Sequence, residues 1–493
     1  MMRRGFLISK KAQEPEVTTI KRANSREEPI RLALEKPGSW PTNVLATNSN
    51  CVQFISLLKV TKRSSSLSTG GATTPDGPTH IVTTLPPLNN NEPNTQCLLL
   101  QGTKQVILST PGFPKPLPPP PASPAFRLGP SPGKGMGLFS TRQIKQGEII
   151  LWERPLLIMA SGIPIAFPAS FSEAQRAQHA LNDLEFYMET AVSRMKPDRR
   201  AAFMGLHNCH KKDGSGPLMG RVRTNGISPA SQTKTEVDVK MADHSVVSEH
   251  ISRLNHSCSP NTQPRFDFAT FAHQLYAVRD IAEGEELTLQ YVDILVNKTE
   301  RAENLKPYAV VCTCTACTEN PRESDKRRSA IASFMPSVPV WAVNRQLSDD
   351  WLIKKSLQIL EFIEKEKVEH VAMYNNATAT VMDAYICLGD RQNASKWAAK
   401  VMIRHRWAEE YKRVEEFLDP DSPAYVQHPL WRLRVDENPT NAKGAMYKLM
   451  AEACGPGGVS TMSNGMGLFT FAQGQEIPPE TLKKVLAMVK QGK

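Results

Sequence analysis

The 493-residue sequence predicts an α+β protein: small β-sheets carrying a helical insert, a short cysteine-rich element, then a helical C-terminal domain. Three observations predict this. From Gly133 onward, short apolar runs are broken by glycine, the mark of small strands and tight turns. Between residues 171 and 207, and again between 345 and 418, apolar residues instead recur at helical spacing. Between those stretches lies Cys312-Thr313-Cys314-Thr315-Ala316-Cys317, too dense for three independent structural thiols. With 40% hydrophobic residues, the chain can support two or three domains with real cores.

Residues 1–125 are rich in Ser, Thr, Pro and Asn, with the runs Ser64-Ser65-Ser66, Asn89-Asn90-Asn91 and Pro118-Pro119-Pro120-Pro121. They read as a disordered basic extension ending in an extended proline spacer, with folded sequence starting near Phe126. Residues 1–130 hold 15 Lys plus Arg against 7 Asp plus Glu, net +8, which leaves 45 against 42, net +3, for residues 131–493. The body is nearly neutral, so no direct nucleic-acid partner is expected. Nine cysteines without the spacing of a secreted disulfide framework indicate a reducing compartment. No run approaches the roughly 20 apolar residues of a membrane helix, and the apolar stretch after Met1 is too short for a secretory signal. Glu14, Glu16, Glu27 and Glu28 disfavour a mitochondrial leader. The expected location is intracellular, nucleus or cytoplasm, with no membrane contact.

The segment Gly133-Lys134-Gly135-Met136-Gly137-Leu138-Phe139 reads as a glycine-rich turn where backbone approaches a ligand closely. Phe171-Ser172-Glu173-Ala174 starts the helical insert, 171–207, and Pro197 interrupts it. His207-Asn208-Cys209-His210 has one cysteine with two histidines, a poor set for zinc. Asn225, beside Gly226, reads equally as a turn residue or as a binding residue.

Three elements then follow in order between residues 255 and 317: Asn255-His256-Ser257-Cys258-Ser259-Pro260-Asn261, Gly284-Glu285-Glu286-Leu287-Thr288-Leu289-Gln290-Tyr291, and the cysteine cluster. Together they resemble the SET-domain protein lysine methyltransferases over about residues 126–320. The resemblance is to the SET and post-SET parts of SET-MYND proteins, without a MYND zinc module. It implies a SET fold of small β-sheets with a helical insert and a threaded crossing at 126–310, then a zinc-binding post-SET element at 311–320.

By that resemblance the cofactor is S-adenosylmethionine. Its contacts are expected at Lys134, Gly135 and Met136 of the opening turn, at Asn225, and at Asn255 and His256. Tyr291 takes the place of the catalytic tyrosine at the mouth of a lysine channel. Cys258 joins Cys312, Cys314 and Cys317 as the fourth ligand of a structural zinc. One departure stands out: relatives often have an aromatic two residues before the first post-SET cysteine, where this chain has Val310, with Tyr308 as the nearest substitute. A lysine of pKa about 10.4 costs about 4 to 5 kcal/mol to deprotonate at neutral pH. An apolar channel lowers that cost, a tyrosine hydroxyl orients the neutral amine, and water carries the proton away. Glu285 and Glu286 are expected to shape the turn rather than act as bases.

Residues 321–493 are expected to form a helical, tetratricopeptide-like domain, although no repeat of the required length is evident. The tail motif Gly465-Met466-Gly467-Leu468-Phe469 echoes residues 135–139 without a second set of partners. The chain thus reads as an S-adenosylmethionine-dependent methyltransferase acting on lysine side chains of a protein, histone or non-histone. Its partners are that substrate and peptides meeting the helical domain. The competing class is a catalytically inactive SET-fold scaffold that binds peptide or chromatin partners.

Overall fold

The computed structural model describes residues 80–87, 92–161, 168–229, 235–404 and 414–436, preceded by the short strands β1 (Val17–Ile20), β2 (Ile30–Ala33), β3 (Thr73–Thr74) and β4 (Gly77–Pro78). The rest of the expected extension before residue 80, residues 405–413, and the tail with its Gly465–Phe469 echo lie outside the described residues. Among the described residues no helix is long and apolar enough to cross a membrane.

The first correction concerns the extension. β5 (His80–Leu85) and β6 (Thr95–Leu100) are folded strands, followed by α1 (Thr103–Leu108). β6 runs antiparallel to β5 and parallel to β10 (Leu157–Ala160), and β10 pairs with β11 (His244–Val247), giving the order β11-β10-β6-β5. An interior strand is covered on both faces, and Thr95–Leu99 are all buried. Leu85, Cys97, Leu99 and Ile107 share a core with Ile158, Val246, Phe266 and Phe271, each large apolar side chain contributing roughly 1.5–3 kcal/mol. Buried Arg154 adds a clasp, donating to Glu92 at 2.8 Å and to the Pro93 carbonyl at 2.9 Å.

The insert begins as expected and runs further. α2 (Glu173–Ser193) opens on a capping box in which Ser172 and Gln175 satisfy each other's backbone N–H. Leu184, Met188, Ala191 and Val192 share a core with Leu98, Leu157 and Met159 of the sheet. Pro197 occupies the first turn of α3 (Pro197–Met204), where its missing N–H leaves no bond unmade. Beyond residue 207 the chain adds α4 (Pro217–Asn225) and α5 (Glu236–Met241) before returning to β11.

Two smaller sheets carry the motifs. In one, β7 (Phe126–Ser131) and β8 (Gly135–Ser140) form a hairpin, β15 (Glu286–Leu289) pairs antiparallel with β8, and β12 (Asn255–His256) lies parallel to β15. The other joins β13 (Thr262–Asp267), β14 (Ala272–Ala277) and β9 (Ile149–Glu153). Leu138, Ile144, Leu254, Leu275, Ile281 and Leu287 make their common core.

The chain divides into two compact units, Met1–Ser329 with Glu366–His370, and Ala330–Lys365 with Val371–Lys493. The first unit therefore runs past residue 320, through α6 (Lys298–Leu305), α7 (Thr315–Thr318) and part of α8 (Pro321–Ala332), and takes in five residues from further on. The second unit is helical, with α9 (Val338–Val343), most of α10 (Trp351–Glu366), α11 (Ala372–Leu388) and α12 (Arg391–Arg404). Gly389 in the left-handed conformation ends α11. Buried Arg434 fastens this unit, donating to Asp349 at 2.8 Å and to the Trp341 carbonyl at 2.6 Å.

Candidate active site and metal centre

The parallel pairing of β12 with β15 brings two distant motifs together. Asn255 stands opposite Thr288 and His256 opposite Leu289. Asn261, at the end of the first motif, completes the join: its amide nitrogen donates to the Glu286 carbonyl at 2.8 Å and its oxygen accepts from the Thr288 N–H at 2.7 Å. Asn261 was not singled out in the sequence. An asparagine closing a short polar motif, obliged to satisfy both backbone directions once buried, was the available signal.

On the β8 side, Gly135 has φ +80°, a left-handed conformation that a side chain strains. A side chain at Gly137 would place its first carbon 2.6 Å from Glu286 Oε1 and 3.0 Å from Asn255 Nδ2, and would push that pair apart. Glu286 is more than a turn residue. Its Oε1 accepts from Asn255 at 2.7 Å and its Oε2 from Lys134 at 3.0 Å, while the Asn255 amide also donates to the Met136 carbonyl at 3.2 Å. The structure thereby collects Lys134, Met136 and Asn255 around one carboxylate. A cation, an anion and an amide in one place are a donor set that fits the zwitterionic head of an amino-acid-like cofactor.

Asn225 is held at the end of a helix. It is the last residue of α4, and its amide nitrogen donates to the His207 and Arg221 carbonyls, both at 2.7 Å. Its carbonyl accepts from Ser252 Oγ at 3.2 Å, which ties α4 to the turn leading into Asn255. In the nearby His207–His210 segment, His210 bonds Asp213 at 2.6 Å and Arg223 reaches the same carboxylate at 2.8 Å. Burial opposes the Asp213 charge, but His210 and Arg223 overcome it and hold the carboxyl at about 2. That is an ion-pair cluster.

Tyr291 follows β15. Its N–H donates to His256 Nδ1 at 3.0 Å, which puts the imidazole proton on Nε2, facing Cys258 Sγ at 3.4 Å. Burial pushes the His256 imidazole down to about 3, so it stays neutral. The Tyr291 hydroxyl donates to the Leu254 carbonyl at 2.5 Å. Its ring lies 5.4 Å from His256 and 5.3 Å from buried Tyr308, so an aromatic ring stands beside Tyr291 although position 310 is valine.

The four cysteines converge. Cys258, Cys312, Cys314 and Cys317 place their sulfurs within 4.8 Å of one another, with Cys258 at 3.8 Å from Cys312 and 3.6 Å from Cys317. Those separations match the edge of a tetrahedron of thiolates about 2.3 Å from a zinc ion, roughly 3.8 Å, so the residues fit that metal. Fully buried Arg301 donates to Cys317 Sγ at 3.7 Å and to Asp325 at 3.1 Å, setting positive charge against the anionic cage. Arg328, also fully buried, donates to the Cys258 carbonyl at 2.9 Å, the Ile294 carbonyl at 2.7 Å and Glu366 at 2.9 Å. Buried charged pairs have no sequence signature, and neither arginine was foreseen.

Residues 135–292 match the family model described as the SET domain. The chain is 29% identical over 218 residues to the histone-lysine N-methyltransferase set5 of Schizosaccharomyces pombe, covering 42% of this chain and 56% of that protein. It is 29% identical over 161 residues to the human histone-lysine N-methyltransferase SMYD3, covering 32% and 37%, and 27% identical over 146 residues to the N-lysine methyltransferase SMYD2-B of Danio rerio, covering 28% and 32%. Paired motifs, hairpin and sulfur cage define a SET-domain protein. Over these stretches the chain is similar to lysine methyltransferases that carry this domain. It spans about half or less of the length of these relatives.

Proposed function

We infer that this protein transfers a methyl group from S-adenosylmethionine to a lysine side chain of a protein substrate, histone or non-histone. The observation that carries the reading is the Tyr291 N–H bond to His256, which ties the tyrosine to the strand that carries Asn255 and its bond to Glu286. When bound, S-adenosylmethionine supplies an electrophilic sulfonium methyl. Lys134, Gly135, Met136, Asn225, Asn255 and His256 are the residues that would hold its amino-acid end, with Asn225 tied to the turn before Asn255 through Ser252. With its proton donated to Leu254, the Tyr291 oxygen accepts from the substrate amine and orients it. Next to the rings of Tyr291 and Tyr308 the amine loses part of its hydration, which disfavours the ammonium form. His256 is not the base, because its Nδ1 already accepts from Tyr291 and its Nε2 carries the proton. The lysine proton leaves to solvent. Cys258, Cys312, Cys314 and Cys317 would hold a structural zinc, fastening the post-SET segment to the motif that carries Asn255 and His256. The helical unit, tetratricopeptide-like in character, offers further peptide contacts, and the compartment is nuclear or cytoplasmic.

The test is transfer from methyl-labelled S-adenosylmethionine to a lysine peptide library by the full chain, with Tyr291→Phe alongside. Label on lysine in the wild type and its loss in the variant are expected. No label from a folded protein that binds S-adenosylmethionine would turn the reading to the inactive scaffold.

A further inference from the structure

The turn that leads into Asn255 hangs on one carboxylate. Glu153 ends β9 and is buried. Its Oε1 accepts from the backbone N–H groups of Glu249 and His250, both at 2.8 Å, and from His250 Nδ1 at 3.2 Å, while its Oε2 accepts from the Ile251 N–H at 3.0 Å. Burial opposes the charge, but the His250 ring and these backbone donors outweigh it and hold the carboxyl below the usual carboxylate range. An ionised carboxylate offers acceptor sites alone, so four donors meet it without conflict.

The donors open a short 3₁₀ turn, Ile251–Arg253. Within it the Arg253 N–H donates to the His250 carbonyl at 2.8 Å and the Leu254 N–H to the Ile251 carbonyl at 3.2 Å. The residue that follows supplies the Leu254 carbonyl, which accepts the Tyr291 hydroxyl at 2.5 Å, and Asn255 then starts β12. Glu153 belongs to the sheet of β13, β14 and β9, whereas Asn255 belongs to that of β12, β15, β8 and β7, so the carboxylate joins the two sheets at this turn. A phenol has one proton, and the acceptor of that proton decides where the oxygen lone pairs point. A turn that slips therefore swings the lone pair that the substrate amine needs.

We propose that Glu153 is a positioning residue for methyl transfer, which grips residues 249–251, thereby sets the Leu254 carbonyl, and through it orients the Tyr291 hydroxyl. This rests on the methyltransferase reading. Glu153→Gln is the probe, because the amide matches the carboxylate in size but has one acceptor oxygen and one NH2 group. Whichever way the amide turns, the NH2 faces backbone donors, and the turn loosens.

The experiment uses the full chain, methyl-labelled S-adenosylmethionine and the library peptide that the wild type labels best. Glu153→Gln should lower kcat about tenfold, with peptide KM and S-adenosylmethionine affinity within about twofold of wild type. Added to Tyr291→Phe, it should cost less than about twofold more, since the hydroxyl through which it acts is already gone. In protein carrying tyrosine labelled with carbon-13 at Cζ, the Tyr291 resonance, identified by its loss in Tyr291→Phe, should shift in Glu153→Gln. Should Glu153→Gln fail to fold, His250→Ala withdraws one of the four donors at a half-buried ring, and the same signatures are expected with a kcat loss of about threefold. Losses that multiply in the double variant, or an unmoved Tyr291 resonance in the folded variant, overturn the inference while the methyltransferase reading stands. A folded wild type that binds cofactor and labels no peptide overturns that reading and the inference with it.

Discussion

Replacing Cys314 with serine should strip the metal from the sulfur cage. The wild-type sulfurs stand 3.6 and 3.8 Å apart where measured from Cys258. A disulfide needs about 2.05 Å, and a zinc tetrahedron roughly 3.8 Å. A structural zinc is worth about 10–16 kcal/mol in small peptide sites. Shared evenly among four thiolates, one ligand contributes about 3–4 kcal/mol, or two to three decades of affinity. Metal content of the full chain, measured by mass spectrometry across a series of buffered free-zinc concentrations, should show one zinc per chain, with the Cys314→Ser midpoint two to three decades higher. S-adenosylmethionine binding should weaken where the variant is empty, because Cys258 Sγ faces His256 at 3.4 Å. An unchanged midpoint, or a wild type without zinc, would refute the four-cysteine site.

Tyr291→Phe removes the hydroxyl bond to Leu254. Stability should fall by about 1 kcal/mol and methyl transfer by about 100-fold, with cofactor affinity within about twofold of wild type by calorimetry; equal turnover would remove Tyr291 from the chemistry. Arg328→Met leaves the Cys258 and Ile294 carbonyls without their donor and Glu366 with less counter-charge. Chemical denaturation should show a loss of about 3 kcal/mol, and a loss below about 1 kcal/mol would mean that the network does not hold the Glu366–His370 segment. His273 is buried, and desolvation holds it at about 4 against an ordinary 6.5. The unfolded chain therefore takes up the proton first, so this stabilisation is full above pH 6.5 and is lost as pH falls toward 4, by about 3 kcal/mol in all. His273→Gln should flatten the dependence of stability on pH in that window, and an unaltered slope would contradict the assignment.

The motifs that build the site were legible because each is local: Asn255–Asn261, Gly284–Tyr291 and Cys312–Cys317 announce polar loop, turn-to-strand and metal ligands within a few residues. Their meeting was legible only through family resemblance, since nothing in residue spacing pairs β12 with β15. The strands at 80–100 were hidden for a compositional reason. They follow a long Ser, Thr and Pro-rich stretch, and β6 contributes Thr95 and Gln96 to a buried strand, with Thr95 Oγ1 satisfied by the Pro155 carbonyl at 2.8 Å. Polar residues read as solvated until their partner, here 60 positions away, is known. Arg301, Arg328 and Glu366 were missed for the same reason. Charged residues are buried only when paired, and their partners lie far along the chain.

The central claim is a cofactor site assembled from β8, β12 and β15, and calorimetric titration with S-adenosylmethionine tests it without knowledge of the substrate. The full zinc-loaded chain is required, because a truncation at residue 120 removes β5 and β6 from the core. Saturable one-site binding is predicted, weakened at least tenfold in Asn255→Ala, whose amide no longer bridges Met136 and Glu286. No binding by the folded wild type would contradict the account and leave a SET-fold scaffold in its place.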